Sequence, residues 1–98
     1  MNDRFVLVTG CSTGIGKACA VYLAKSGFSV MAGVRRDQDA KNLELIAGSN
    51  LQGIQLDIAD SGSIAAATVK IAEITGVSGL AGIVNNAGFR VRFRVVFV

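Results

Sequence analysis

Gly10, Gly14 and Gly16, interleaved with Cys11, Ser12, Thr13 and Ile15, are the residues of this 98-residue chain whose types and spacing point most directly to chemistry. Glycine lets backbone N–H groups approach an anion, and a helix that starts at such a loop adds partial positive charge at its N-terminus. The stretch follows the apolar run Phe5-Val6-Leu7-Val8 and precedes a segment of helical periodicity. A nucleotide-binding fold puts its phosphate site at that position. Ser12 and Thr13 add hydroxyl donors. The plain alternative is a turn that needs glycine only for its backbone angles, and placement between strand and helix favours phosphate over it. Spacing then sorts the nucleotides. A P-loop reads Gly-x4-Gly-Lys-Ser/Thr, but here five residues separate Gly10 from Gly16-Lys17, and Ala18 replaces the magnesium-binding hydroxyl. That disfavours an ATPase or GTPase. The order Gly-x3-Gly-x-Gly also departs from the common dinucleotide fingerprint Gly-x-Gly-x-x-Gly.

Other reactive side chains offer less. The chain has no His, which excludes Ser-His-Asp and Cys-His catalysis and His metal sites. Its two cysteines, Cys11 and Cys19, cannot form a four-Cys zinc site. Cys11 stands near a helix N-terminus, where thiol pKa falls, but without a positioned base it reads as a loop residue. Tyr22 precedes Lys25 by three residues and continues the apolar stripe of Ile15, Ala18 and Cys19, so it reads as a packed aromatic. Asp57 and Asp60 suggest a carboxylate pair, yet Asp60 sits in the turn Asp60-Ser61-Gly62-Ser63, rich in N-cap residues.

Strands and helices must position these groups, and the chain alternates them through residue 88. Buried-strand runs are expected at Phe5–Val8, Phe28–Val34, Leu51–Leu56 and Leu80–Val84. Between them lie a helix after Gly16 that ends at Lys25-Ser26-Gly27, a weak one capped by Asp37 or Asp39, and an Ala-rich one over Ile64–Ile74. Alternation of this kind implies an α/β fold: a parallel sheet with right-handed crossovers, helices on both faces and spatial order 3-2-1-4. Hydrophobic residues make up 51% of the chain, enough to form a core, although one this small is marginal. Net charge is +3, and Arg90, Arg92 and Arg94 account for it, leaving the body neutral. No nucleic-acid face is therefore expected on the body. No apolar run approaches the roughly 18 residues of a membrane span, and no signal sequence is visible. A cytoplasmic, reducing setting is expected.

Thr9-Gly10-x3-Gly14-x-Gly16 resembles the cofactor loop of the short-chain dehydrogenase/reductase family. Two further motifs agree: Leu56-Asp57-Ile58 is similar to the family's acidic residue after strand three, and Asn85-Asn86-Ala87-Gly88 to its Asn-Asn-Ala-Gly motif after strand four. The resemblance spans residues 5–88 and implies a Rossmann-like, doubly wound domain over 1–88 that binds NAD or NADP. It implies a diphosphate site at Gly10, Ser12, Thr13, Gly14, Ile15 and Gly16. Asp57 and Ile58 would sit beside the adenine, and Asn86, Ala87 and Gly88 beside the ribose. It gives Asn85 a structural role between strands. Dinucleotide folds discriminate cofactors at the end of strand two, where a carboxylate holds the 2′-OH of NAD and Arg accommodates the 2′-phosphate of NADP. Arg35 and Arg36 stand there, favouring NADP over NAD. Asp37 would take that position if the strand ran two residues further.

Hydride transfer in the family rests on a Tyr with a Lys four residues on, assisted by a Ser and an Asn, beyond the Asn-Asn-Ala-Gly motif. Nothing in this chain matches that half. No catalytic residue is assigned, and no substrate can be read. The expectation is the cofactor-binding half of an oxidoreductase, cut short and inactive alone. A structural, self-assembling protein is the alternative, and an enzyme completed by another chain a third. In the tail, 89–98, Phe89, Val91, Phe93, Val95 and Phe97 alternate with Arg90, Arg92 and Arg94, a strand pattern unlike the family's continuation. This extra C-terminal strand can fold back antiparallel on strand four or pair with the same tail of a second chain. An apolar edge strand favours association, so a homo-oligomer, most simply a dimer through 89–98, is expected.

Overall fold

A computed structural model describes residues 4–76 and 79–86, and the backbone of 94–97. Four parallel strands form in turn: β1 (Phe5–Val8), β2 (Ser29–Val34), β3 (Leu51–Gln55) and β4 (Leu80–Asn85). Helices α1 (Gly14–Lys25), α2 (Asp37–Ala47) and α3 (Ser61–Thr75) make the crossovers. A fifth strand, β5 (Arg94–Phe97), pairs antiparallel with β4, and the sheet order is β3-β2-β1-β4-β5. The parallel 3-2-1-4 core is the order expected from the sequence. Among the described residues, no helix is long and apolar enough to cross a membrane.

Strand periodicity divides the core in two. Val6, Val8, Val30, Ala32 and Val34 face α1 and α2, where they meet Ala20, Ala24 and Leu43. Phe5, Leu7, Met31 and Ile54 face α3 and meet Ala67, Ile71 and Ile74. Both faces of β1 and β2 are covered, which is why these strands read as continuous apolar runs.

Helix α1 does not bury the stripe that the sequence suggested. Its buried residues are Gly16, Ala20 and Ala24, spaced by four, whereas Tyr22 is 71% exposed and Ile15 44%. The small residues let the helix axis lie close to the sheet, and a larger stripe would hold it off. Tyr22 is thus not a packed aromatic. It stands in the last turn of α1, about 12 Å along the helix from the glycine loop. Asn50 Nδ2 donates to the Ala24 carbonyl at 3.1 Å, beside the bond that Gly27 N makes to it at 3.2 Å, so this helix-end acceptor is paired twice. The expected caps of α2 also shift: Arg36 is the N-cap and makes no side-chain cap bond, while Asp37 and Asp39 lie in the first turn, where their charge favours the helix dipole. Asp60 caps α3 through Oδ1, which accepts from Gly62 N and Ser63 N.

β3 is one edge of the sheet, and α2 closes it. A side chain at Gly53 would collide with Ala40 of α2. The outward N–H of Gly53 donates to Glu44 Oε2 at 2.8 Å, so the edge offers no free donor there. Gly53→Ala is expected to destabilise the protein by about 1–3 kcal/mol, read as a lower denaturation midpoint, because backbone and not a flexible side chain must give way.

Cys11 is fully buried, and its thiol donates to the Val8 carbonyl at 3.1 Å. Desolvation, with a smaller contribution from Cys19, pushes its pKa from 9.0 to about 12. The thiolate-activating environment of a helix N-terminus is thus overridden by burial. The folded state holds this proton more tightly than the unfolded chain, so the stabilisation is complete below pH 9.0 and lost as pH rises toward about 12. The fall in unfolding midpoint over that range should be shallower in Cys11→Ala. An equal slope in both proteins would contradict this assignment.

Candidate functional site: the carboxyl ends of the parallel strands

Parallel strands deliver their carboxyl ends to one edge of the sheet, so the segments after β1, β2, β3 and β4 converge. Most of the residues singled out from the sequence stand there. Gly10, Ser12 and Thr13 follow β1, Arg35 and Arg36 follow β2, Asp57 and Ile58 follow β3, and Asn86 follows β4. Gly14, Ile15 and Gly16 form the first turn of α1. Ala87 and Gly88 lie outside the described residues, as do 89–93 of the tail.

The glycine loop is shaped to leave backbone groups accessible. Gly14 has φ +65°, a conformation that side chains disfavour, and among the described residues nothing beyond its own turn lies within 4 Å of where its Cβ would be. A Cβ on Gly16 would strike the Gly10 carbonyl and the Asn86 amide, so these three residues sit in direct contact. Thr13, the N-cap of α1, is extended and makes no side-chain cap bond, and the first turn carries no acidic residue. The helix therefore presents its first N–H groups and its positive end to the strand edge without an internal anion. This geometry fits a phosphate group.

Side chains stitch the converging segments together. Thr9 is buried, and its hydroxyl donates to Asn85 Oδ1 at 3.0 Å and accepts from Asn86 N at 2.9 Å. Its backbone N donates to the Val84 carbonyl at 3.0 Å, so β1 and β4 end in a fixed relation. Cys11 N donates to the Gly33 carbonyl at 2.8 Å, and Arg35 N to Ser12 Oγ at 3.2 Å, which ties the glycine loop to the end of β2. Asp57 N donates to Ser63 Oγ at 2.9 Å, and Asp57 Oδ1 accepts from Ala59 N at 3.0 Å. Asp57 and Asp60 are thus each occupied by a turn or a cap and do not form a carboxylate pair.

Strand β2 ends at Val34, so Arg35 is the first residue past it and Asp37 already belongs to α2. Arg36 Nε lies 3.7 Å from Asp39 Oδ2, an ion pair one helical turn long. Arg35 lines a cleft of about 500 Å³ between β3 and α3 with Asp37, Gln55, Asp57, Asp60 and Lys70. Sequence reasoning missed Gln55 and Ser63, whose roles depend on contacts across loops that no spacing reveals. Thr9 was read only as part of a motif, although its position directly after a buried strand is a usable signal for a polar bridge.

Comparison with known proteins agrees with this arrangement. The sequence profile described as short chain dehydrogenase matches residues 4–96. The chain is 42% identical over 88 residues to 17-beta-hydroxysteroid dehydrogenase type 6 of Bos taurus, covering 90% of this chain and 28% of that protein. It is 37% identical over 87 residues to retinol dehydrogenase 5 of Mus musculus, covering 89% of this chain and 27% of that one. The chain thus spans little more than a quarter of the length of these curated relatives. Among solved structures, the menthone neomenthol reductase of Mentha piperita superposes with a TM-score of 0.75 at 32% identity, over 91% of this chain and 33% of that one. A short chain dehydrogenase from Bacillus anthracis gives 0.76 at 27% identity, over 88% and 35%. Sequence and fold therefore place this chain in the short chain dehydrogenase family.

Proposed function

We propose that this chain binds NADP(H) and forms the cofactor-holding part of an oxidoreductase. Short chain dehydrogenases use nicotinamide dinucleotides, and the choice of NADP over NAD is our reading of Arg35 and Arg36. The observation that carries it is the uncapped N-terminus of α1, packed at Gly16 against Gly10 and Asn86, on the edge where four strand ends meet. The diphosphate would lie over Gly10–Gly16, with Ser12 and Thr13 hydroxyls as donors. Ile58, 48% exposed, offers an apolar surface to the adenine, and Asp57 stands beside it. Arg35 would face the 2′-phosphate, while Arg36 shares its charge with Asp39. When bound, the dinucleotide supplies or accepts a hydride. Nothing among these residues is placed to move the accompanying proton: Tyr22, the chain's one tyrosine, lies at the far end of α1. We therefore propose binding without turnover for the 98-residue chain itself.

Titration with NADPH and NADH, followed by calorimetry, tests this. NADPH should bind more tightly, and replacing Arg35 and Arg36 by Ala should weaken NADPH about 10- to 100-fold while leaving NADH nearly unchanged. Equal affinities in the unmodified protein would contradict the NADP assignment.

One observation favours a second property. The β3 edge is blocked by Glu44, but β5 ends the other side of the sheet as an edge strand. We propose that two chains pair there through residues 89–98. Light scattering at micromolar concentration should give a dimer for the full chain and a monomer after deletion of 89–98. A monomeric full chain would refute the pairing.

A further inference from the structure

We infer that Gln55 is a positioning residue for cofactor choice: with Ser12 it clamps the backbone of Arg35, and so sets where the guanidinium meets a 2′-phosphate. The inference rests on the NADP reading above and adds a residue that neither the glycine loop nor the strand-end arginines would suggest.

The backbone ladder stops at the end of β2. Gly33 O accepts from Cys11 N at 2.8 Å on the β1 side, and Val34 O accepts from Leu56 N at 2.7 Å on the β3 side. Arg35 comes next, after β2 has ended and before α2 begins, and is exposed. Among the described residues it has no backbone hydrogen-bond partner. Side chains replace one on both sides. Arg35 N donates to Ser12 Oγ at 3.2 Å, and Gln55 Nε2 donates to the Arg35 carbonyl at 3.2 Å. Both polar groups of this residue are thus tied to neighbouring strand ends, one to the phosphate loop and one to β3. The Ser12 bond, with Cys11 N to Gly33 O, ties Arg35 to the glycine loop, and the Gln55 bond ties it to the end of β3, so the backbone of Arg35 is held from both sides. That matters because a guanidinium fork grips phosphate bidentately only in a narrow geometry, and misplacement of its stem forfeits one of the two bonds. Arg36 shares its charge with Asp39, 3.7 Å from its Nε, and lies one residue further from the strand end. Gln55 itself lines the cleft that Arg35 faces, but its amide is committed to the Arg35 carbonyl.

The test uses the full chain and two probes that differ only at the phosphate in question: adenosine 2′,5′-bisphosphate and adenosine 5′-monophosphate, each titrated calorimetrically. Gln55→Met keeps the side-chain length and removes the donor, with Gln55→Leu, one bond shorter, as a second donor-less variant. Each should weaken the bisphosphate about fivefold, the scale of one neutral hydrogen bond, and leave the monophosphate unchanged. In an Arg35→Ala background, Gln55→Leu should cost nothing further, because a residue that acts through Arg35 has no effect without it. A general structural defect would weaken both probes and would add to Arg35→Ala, and either result overturns the inference. If Arg35→Ala abolishes the preference for bisphosphate while both Gln55 variants retain it, the NADP reading stands and this inference fails. If the unmodified chain binds the two probes equally, the NADP reading fails and the inference falls with it.

Discussion

A parallel sheet brings its strand ends to one edge but leaves their last polar groups without ladder partners, and a partly buried N–H or C=O left unpaired is costly. That constraint organises the site. The Thr9 hydroxyl closes the gap between β1 and β4 and Ser63 Oγ takes the N–H of Asp57, both partly buried, while Ser12 Oγ and the Gln55 amide pair the exposed backbone of Arg35. Each bond answers a local need of the fold, and together they fix four loops relative to one another. The geometry of this edge follows from the way a doubly wound sheet finishes its own hydrogen bonding.

Close approach of backbones is the second requirement, and glycine and alanine meet it. Gly16, Ala20 and Ala24 bring α1 against the sheet, which places its positive end beside Gly10 and Asn86. Gly53 lets α2 rest on β3 at Ala40, where Glu44 can reach an edge N–H. Larger residues at these points would bury more apolar area but would push the helices outward and open the strand edge. The core is accordingly carried by Val, Leu, Met and Ile on the strands, with small residues on α1.

Much of this was legible in the sequence, for reasons that can be named. Continuous apolar runs mark strands covered on both faces, and glycine turns between runs and helical segments mark crossovers, so fold and strand order followed. The place of the glycine loop between β1 and α1 was legible from residue type and position. Periodicity was a poor guide on α1, because Tyr22 and Ile15 share a helical stripe with smaller residues and only packing depth decides which face turns inward. The cap of α2 was misplaced because Asp37 and Asp39 suit a cap and a first turn equally well. Gln55 carried no signal, since a polar residue at a strand end is ordinary until its partner is known.

The central claim is that the carboxyl edge of the sheet is a dinucleotide site. Backbone amide chemical-shift mapping during NADPH titration of the isotopically labelled chain tests it most directly. The expected result is saturable shifts concentrated at Gly10–Gly16, Arg35, Arg36, Asp57, Ile58 and Asn86, with the outer face of α1 around Tyr22 and the turn at Gly48 unmoved. Saturable shifts centred on those outer surfaces, or none at millimolar NADPH, would contradict it.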